Sequence, residues 1–595
     1  MALDEEQSSG EHEVRRAIDC LRDCADLAEV DSASLEALAA GAVHFSLPAG
    51  SLLFESGSTP DGVYLVANGR LGVRTPGIAR LTAEIERSEL VGETGWLLRE
   101  QRSATVLALR DSELLLLPNG VLDAIAAQST GFSLALARLC ARRLRRSNRQ
   151  ERGHERGRIF VIVPNSVEVD VAVLATRLVA EFTRAGRTEL VWDARASTHT
   201  AGWFNAIEES NDYVVYVADP RASGWTRQCC RQADVILLTA PAGADPKPWP
   251  GGIAEAAARG ARVELALLHD QRIETGAAAR WLRNSPVALH HHIVDADDLG
   301  RLARLLTRRG VGLVLSGGGA RGFAHLGVIR ALREARVPID FVGGSSIGSI
   351  IAAGVAVGWS DDEMRMRYRR SFVDTNPVND YTFPFVALTR GRKVSRLLQR
   401  EYGDVLIEDL RRPFFCVSAN LTTGRALEHR DGRLADALRA SVAIPGVMPP
   451  AYRGEDVLVD GAAINNLPVD IMHNHAPGLV IGSDVGADRF ALDRRGKRHI
   501  NIFQILMHSG MINSAASAAA QRELADVLLK PPLGNVDLLN WRAFDRAIQA
   551  GYDYARAQLE ALPAIPRLPA AADPMPRSSL AAELARRMAA LVESG

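Results

Sequence analysis

The sequence has almost no net charge, few cysteines and no long apolar run, and each shortage removes a class of function. Lysine and arginine together number 70 against 71 aspartates and glutamates. That balance argues against a nucleic-acid footprint spread over the surface and leaves only local patches, chiefly the basic run from Arg142 to Arg158. No distinct helix-turn-helix module follows that run, so it is read as a solvated helix end and linker, and no nucleic-acid partner is expected. The six cysteines, Cys20, Cys24, Cys140, Cys229, Cys230 and Cys416, have neither zinc-ligand spacing nor the density of a disulfide framework. A reducing compartment and no structural disulfide are expected. The start, MALDEEQSSGEHEV, lacks the charged-then-apolar order of a secretory signal. The longest near-apolar run, Ile347 to Trp359, is broken by glycine and serine and falls short of the ~20 residues that span a bilayer. A cytoplasmic protein is expected, touching a membrane only peripherally, from its inner face.

What the chain does have is length and alternation of pattern. With 595 residues it exceeds a single core, and roughly three or four domains are the natural prior. Residues 1–14 read as disordered. Helices are expected over Val14–Ala39, with Leu21, Leu27, Leu35 and Leu38 turned inward. Short strands follow at Val43–Leu53, Gly62–Ala67, Arg70–Thr75, Ala79–Ile85, Ser103–Leu109 and Glu113–Leu117, then apolar helices from Leu122 to Arg146. Residues 15–150 thus read as a β-roll with helices. From 151 to 310 strands alternate with helices, at Ile159–Val163, Glu189–Trp192, Tyr213–Ala218, Val235–Thr239 and Val263–Leu268, the pattern of a doubly wound α/β sheet. No G-x-G-x-x-G follows its first strand and no Walker lysine is present, so a structural or coupling role is expected there. His290, His291 and His292 are consecutive and cannot all face one site, so no metal is expected. Residues 311–562 form a further α/β domain, and 563–595 read as a proline-rich linker with a short amphipathic helix at Leu580–Leu591.

The stretch 313–348, LVLSGGGARGFAHLGVIRALREARVPIDFVGGSSIG, carries the chemistry. A strand leads into Gly317-Gly318-Gly319-Ala320-Arg321-Gly322, a helix is expected over Gly322–Ala335, and a second strand at Ile339–Val342 leads into Gly344-Ser345-Ser346-Ile347-Gly348. Glycines 317, 319 and 322 satisfy a dinucleotide fingerprint. That fold needs an acid at the end of the second strand, however, and Asp340 lies at its beginning. G-x-S-x-G is a nucleophile elbow with Ser346 at its apex and Gly344 and Gly348 flanking it. A Ser–Asp–His triad would draw on Asp460 and on His473, His475, His499 or His508, and nothing in their surroundings selects one. His325 is expected to pack or cap. Tyr381, Phe383, Phe385 and Leu388, next to Arg390, Arg392 and Lys393, either meet lipid headgroups or pack in a core.

Two resemblances organise these motifs. Leu53-Phe54-Glu55-Ser56-Gly57, Tyr64-Leu65-Val66-Ala67-Asn68-Gly69, Val91-Gly92-Glu93-Thr94-Gly95-Trp96-Leu97 and Arg102-Ser103-Ala104-Thr105 resemble a cyclic-nucleotide-binding domain. The likeness implies that Arg102 holds the cyclic phosphate and Glu93 the ribose 2′-hydroxyl, with Gly92 and Ser103 adding contacts, and that cAMP or cGMP acts as regulator. The bland alternative is a degenerate scaffold. An Arg102 without a ligand would be an uncompensated buried charge, so its presence predicts a ligand or access to solvent.

GGGARG, GSSIG and Asp460-Gly461-Ala462, in that order, resemble the patatin-like phospholipases, and ALRASVAIPGVMPP at 437–450 is similar to a stretch of that family. The phrases DYVVYVAD (212–219), WTRQCCRQADVILLTAP (225–241) and the run 289–319 resemble the connecting region of neuropathy-target-esterase-like proteins. Domain order agrees over residues 40–560. The resemblance implies a Ser–Asp dyad without histidine, Ser346 as nucleophile and Asp460 as base. It also implies an oxyanion hole on the amides of Gly318 and Gly319, with Gly317 or Ala320 as further donors. Arg321 would fix the loop or greet a substrate phosphate. The implied substrate is a lysophospholipid or phospholipid, cleaved without a catalytic cofactor. A cyclic-nucleotide-responsive scaffold with an inactive hydrolase domain is the alternative.

Overall fold

The computed structural model describes residues 14–77, 81–149, 158–192, 201–221, 223–283, 285, 287–383, 385–475, 477–486, 518–534, 536–562 and 565–568. Expectations for residues 1–13, His499, His508 and the tail helix at Leu580–Leu591 lie outside them. The chain is a multidomain α/β protein in two compact units, divided between Arg308 and Arg309.

The first unit begins with a β-roll of two antiparallel four-stranded sheets. One orders its strands Val43–Leu47, Ser112–Pro118, Gly62–Asn68, Leu90–Val91; the other runs Leu52–Phe54, Thr105–Ala108, Leu71–Arg74, Ala83–Ile85. Leu122, Ile125, Phe132, Leu136 and Leu139 from the following helices cover one face. No single helix among the described residues is long and apolar enough to cross a membrane. The sharply bent pair Asn119–Gln128 and Thr130–Arg143 passes on length and composition alone.

Six parallel strands make the second sheet of this unit, in the order Thr188–Val191, Tyr213–Val217, Ile159–Pro164, Val235–Pro241, Arg262–Leu268, Leu289–Ile293. A sheet covered on both faces demands strands that are apolar throughout, and every residue of Ile159–Pro164 and Tyr213–Val217 is buried. The last strand was not expected, because its sequence is LHHHI. His291 Nε2 lies 2.7 Å from Glu264 Oε2 and His292 Nδ1 lies 2.8 Å from His269 Nε2, so the imidazoles find polar partners inside the sheet. Arg70 and Arg110 of the roll both reach Asp234, which follows the helix Gly224–Gln232. Their two positive charges hold its carboxyl far below the usual range despite burial.

Among the described residues of the second unit eight strands form one sheet: β1 (Gly310–Leu315), β2 (Phe341–Ser345), β3 (Phe414–Asn420), β4 (Arg425–His429), β5 (Ala451–Arg453), β6 (Asp456–Asp460), β7 (Gly478–Ser483) and β8 (Val527–Leu529). Their order is β5-β6-β3-β2-β1-β7-β8, with β4 also paired to β3. Strands β1, β2, β3, β7 and β8 run parallel, and β4 and β6 lie antiparallel to β3. The expected helix after the glycine loop begins later than Gly322. A 3-10 turn, Gly319–Phe323, comes first, then α1 (Ala324–Glu334). A Cβ on Gly322 would lie 2.4 Å from Ile347 Cγ2, so the loop must close against the elbow before the helix starts. Helix α1 crosses α2 (Phe544–Ala561) backbone to backbone. A Cβ on Gly327 would stand 2.0 Å from the Ile548 carbonyl, and one on Gly551 2.0 Å from that of Ala324. Asp340 is buried just before β2 and accepts the Val311 N–H at 3.0 Å, a structural task at the end of the strand remote from the glycine loop. The aromatic residues Tyr381, Phe383 and Phe385 are not core residues but exposed ones.

Candidate active site

Sheet register brings the two ends of the site together. On β3, Val417 lies opposite Ser345 of β2, and the next residue, Ser418, lies opposite Asp460 of β6. Ser346, one step beyond Ser345, therefore stands level with Asp460 across the end of β3. Its backbone, φ 53° and ψ −129°, is one that costs a non-glycine residue about 1–3 kcal/mol, and it turns the side chain out of the sheet. Only glycine fits beside it: a Cβ on Gly348 would lie 2.3 Å from the Leu315 carbonyl oxygen, and one on Gly344 2.6 Å from the same atom. The Ser346 N–H donates to Ser441 Oγ at 3.1 Å, and the Ser441 hydroxyl donates to the Val417 carbonyl at 2.7 Å, which ties the elbow to β3.

Ser346 Oγ donates to Asp460 Oδ2 at 2.7 Å, and the Ala462 N–H donates to Oδ1 at 2.9 Å. Asp460 is buried and has no ion pair among the described residues. Burial pushes its carboxyl up to about 6, against the opposing pull of both hydrogen bonds. A carboxylate of that basicity exchanges a proton with a reacting group near neutral pH.

Among the described histidines, those weighed for a triad are engaged elsewhere. His473 Nε2 is 2.8 Å from the Leu524 carbonyl and His475 Nε2 is 2.6 Å from Glu428 Oε1. His325, wholly buried, bridges the Ser316 carbonyl at 2.9 Å and Ser483 Oγ at 2.8 Å. Burial pushes its imidazole down to about 4, so it stays neutral in its packing role.

The glycine loop sorts its own donors. Gly317 N–H is committed to Asn466, to the carbonyl at 3.2 Å and to Oδ1 at 3.0 Å; Ala320 N–H is committed to the Leu538 carbonyl at 2.7 Å. Neither amide is left for a ligand. Gly318 and Gly319 have no such partner among the described residues, and their N–H groups begin the 3-10 turn. Arg321 donates Nε to the Val485 carbonyl at 2.7 Å and Nη1 to that of Val536 at 3.4 Å, which ties the loop to distant parts of the chain. Asn466 closes the loop from the other side, its Nδ2 donating to the Gly317 carbonyl at 3.3 Å.

Gly318, Gly319, Ser346 and Asp460 line a cavity that is open to solvent. Beyond these, its walls are apolar, with Ile350, Phe372, Val394, Leu397, Met448 and Trp541 among them.

The nucleotide cassette of the first unit is internally paired. Arg102 is 3% exposed, yet it is not uncompensated: Nη2 donates to Asp61 Oδ1 and to the Gly62 carbonyl, each at 2.8 Å, and Nη1 to the Gly92 carbonyl at 2.8 Å. The guanidinium also lies 4.2 Å from the Phe54 ring centroid. The charge of Arg102 is thus met by Asp61, whose own side chain is exposed, and charge balance alone does not call for a ligand. Glu93 is buried and paired with Arg143 at 2.5 Å, while Gly92 takes the left-handed φ of 89° and Ser103 is exposed. Arg102 Nε and Glu93 Oε2 are buried without a hydrogen-bond partner among the described residues.

Comparison with known proteins gives three family matches in chain order: a cyclic nucleotide-binding domain at residues 44–129, a neuropathy target esterase (NTE) family P-loop like domain at 158–308, and a patatin-like phospholipase at 313–473. An uncharacterized NTE family protein of Mycobacterium tuberculosis is 32% identical over 92% of this chain and 97% of its own length. The chain belongs to the NTE family. Human patatin-like phospholipase domain-containing protein 6 is 30% identical over 86% of this chain and 44% of its own length, and lysophospholipase nte1 of Aspergillus fumigatus 28% over 91% and 43%. This NTE-family chain thus spans less than half the length of those two relatives. The regulatory domain of Toxoplasma gondii PKA, solved with cAMP, overlaps 22% of this chain and 51% of its own at 15% identity and a TM-score of 0.21.

Ser441, Asn466 and Leu538 of this NTE-family chain had no role on sequence grounds. Ser441 lies within the stretch 437–450 and Asn466 just after the Asp460 turn, so their neighbourhoods were marked but their bonds were not. Nothing in the sequence signals Leu538, which acts through a carbonyl.

Proposed function

We propose that this chain is a serine esterase that releases a fatty acid from a lysophospholipid or phospholipid. The observation that carries the reading is the 2.7 Å bond between Ser346 Oγ and a buried Asp460 at the wall of an apolar cavity. Asp460 takes the hydroxyl proton as Oγ attacks the acyl carbonyl. The N–H groups of Gly318 and Gly319 receive the developing oxyanion, each such donor being worth about 2.7–4 kcal/mol in a transition state. Protonated Asp460 then returns the proton to the departing alcohol, leaving acyl-Ser346. Water attacks that ester with Asp460 again as base, and the fatty acid leaves. The apolar walls suit the acyl chain.

Fatty-acid release from lysophosphatidylcholine tests this directly. Wild type should be active and Ser346→Ala slower by at least about a thousandfold, the scale of losing a covalent nucleophile. Equal rates would refute the assignment. We also propose that the β-roll binds cAMP or cGMP as regulator, with Asp61 withdrawing from Arg102 as the cyclic phosphate enters. The orphaned Arg102 Nε and Glu93 Oε2 support that reading. We also infer that the protein is cytoplasmic and meets its lipid peripherally; the free thiols bear on the first part alone, as they fit a reducing compartment.

A further inference from the structure

We propose that the hairpin 380–389 docks the second unit onto a lipid surface, seating Tyr381, Phe383, Phe385 and Val386 at the boundary between headgroups and acyl chains beside the cavity that holds Ser346. This rests on reading that cavity as an acyl site. Single exposed apolar residues need no explanation, but here four fall within one short turn: Tyr381 is 71% exposed, Phe383 73%, Phe385 87% and Val386 68%. Phe383 and Phe385 face each other at 4.9 Å between ring centroids, and the Phe385 N–H donates to the Phe383 carbonyl at 2.9 Å, so they form one apolar tip.

The exposure is enforced by the backbone. Tyr381 bridges Thr389, the Thr382 N–H donates to the Leu388 carbonyl and the Arg390 N–H to the Asp380 carbonyl, which closes the hairpin. Its root is then tied down: Leu388 N–H donates to the Gly446 carbonyl at 3.0 Å, Thr389 N–H to that of Val447 at 2.9 Å, and the buried Thr389 hydroxyl to Val447 as well, at 2.8 Å. A hairpin held this way cannot fold its rings back into the core.

Position and charge select the occupant. Pro377 and Val378, just before the hairpin, and Pro445 and Met448, on either side of its anchor, all line the cavity. Arg390 and Arg392 are exposed at the root of the hairpin, where they can meet headgroup phosphates while the rings enter the apolar layer. A long-chain lipid lives in an aggregate, and a docking tip joined to the cavity wall brings the opening to where that lipid is.

The test uses the full chain and its double variant Phe383→Ser/Phe385→Ser. Sedimentation with phosphatidylcholine vesicles containing a minority of phosphatidylglycerol should show binding by wild type and at least about a tenfold fall in partition for the variant, the scale expected for withdrawing two rings from an apolar phase. Hydrolysis of micellar lysophosphatidylcholine should fall with it, while hydrolysis of soluble p-nitrophenyl butyrate stays unchanged. A second variant, Arg390→Ala/Arg392→Ala, should lose only the increment due to phosphatidylglycerol. Wild type that stays in the supernatant, or a double-serine variant that sediments like wild type, overturns the proposal. So does a wild type that self-associates through this tip, seen as dimer against monomeric variant by ultracentrifugation without vesicle binding. Failure of wild type on the soluble ester would instead strike the esterase reading and leave the vesicle result standing.

Discussion

Replacing Asp460 by asparagine should stabilise the protein while stopping its reaction, because the same burial serves both. An ordinary aspartate titrates near 3.8 and this one is pushed up to about 6. A folded-state value raised above the unfolded one means that stability is intact below 3.8 and is lost as pH rises through 6, since the folded protein must then hold a buried charge. The gap corresponds to about 3 kcal/mol at pH 8 and about 1.6 kcal/mol at pH 5, to within a factor of two. Asparagine keeps the shape and can still accept from Ala462 and Ser346, as the neutral carboxyl does, but its amide brings one more buried N–H than the protonated carboxyl has donors, a loss of about 1 kcal/mol that does not depend on pH. The net gain at pH 8 is about 2 kcal/mol, a rise of a few degrees in the Tm of the second unit, and it shrinks towards pH 5. His325, whose protonation costs stability as pH falls from 6.5 through about 4, titrates alike in both proteins and cancels. The paired assay is kcat/KM for p-nitrophenyl butyrate against pH. Wild type should lose about tenfold per pH unit below about 6, and Asp460→Asn should fall by at least about a thousandfold throughout. A variant within tenfold of wild type, or one whose relative stability does not grow from pH 5 to pH 8, would refute the reasoning.

Asn466→Ala removes both side-chain bonds to the Gly317 peptide and leaves only the weaker one to the Asn466 backbone carbonyl, and should lower kcat by about ten- to a hundredfold with KM little changed, since the loop's donors are called on chiefly in the transition state; an equal rise in KM at constant kcat would contradict that role. Asp61→Asn removes the internal counter-charge of Arg102, so saturating cAMP or cGMP should raise the Tm of the variant more than that of wild type. No shift in either protein would reduce the β-roll to a scaffold.

The elbow and the glycine loop were legible in the sequence because they are local. A strand followed by G-x-S-x-G, or by three glycines and a helix, fixes backbone conformation from neighbours alone, and Asp460 could be picked out by its own strand and turn. Which amides remain available was not legible. Gly317 and Ala320 look like Gly318 and Gly319 until Asn466 and the Leu538 carbonyl, far along the chain, claim them. Arg102 misled in the same way: its charge demanded a partner, and only the fold revealed that Asp61 supplies one. The strand LHHHI escaped notice because its polar residues break the apolar pattern, and it exists because Glu264 and His269 satisfy them across the sheet. Sequence by itself determined the order of domains and the turns, which depend on short-range sterics and hydrophobic period. Tertiary structure decided the state of each polar group, the raised basicity of Asp460, the spent and unspent amides, the pairing of Arg102 with Asp61 and the exposed aromatic tip. Those depend on desolvation and on hydrogen-bond partners brought from distant parts of the chain.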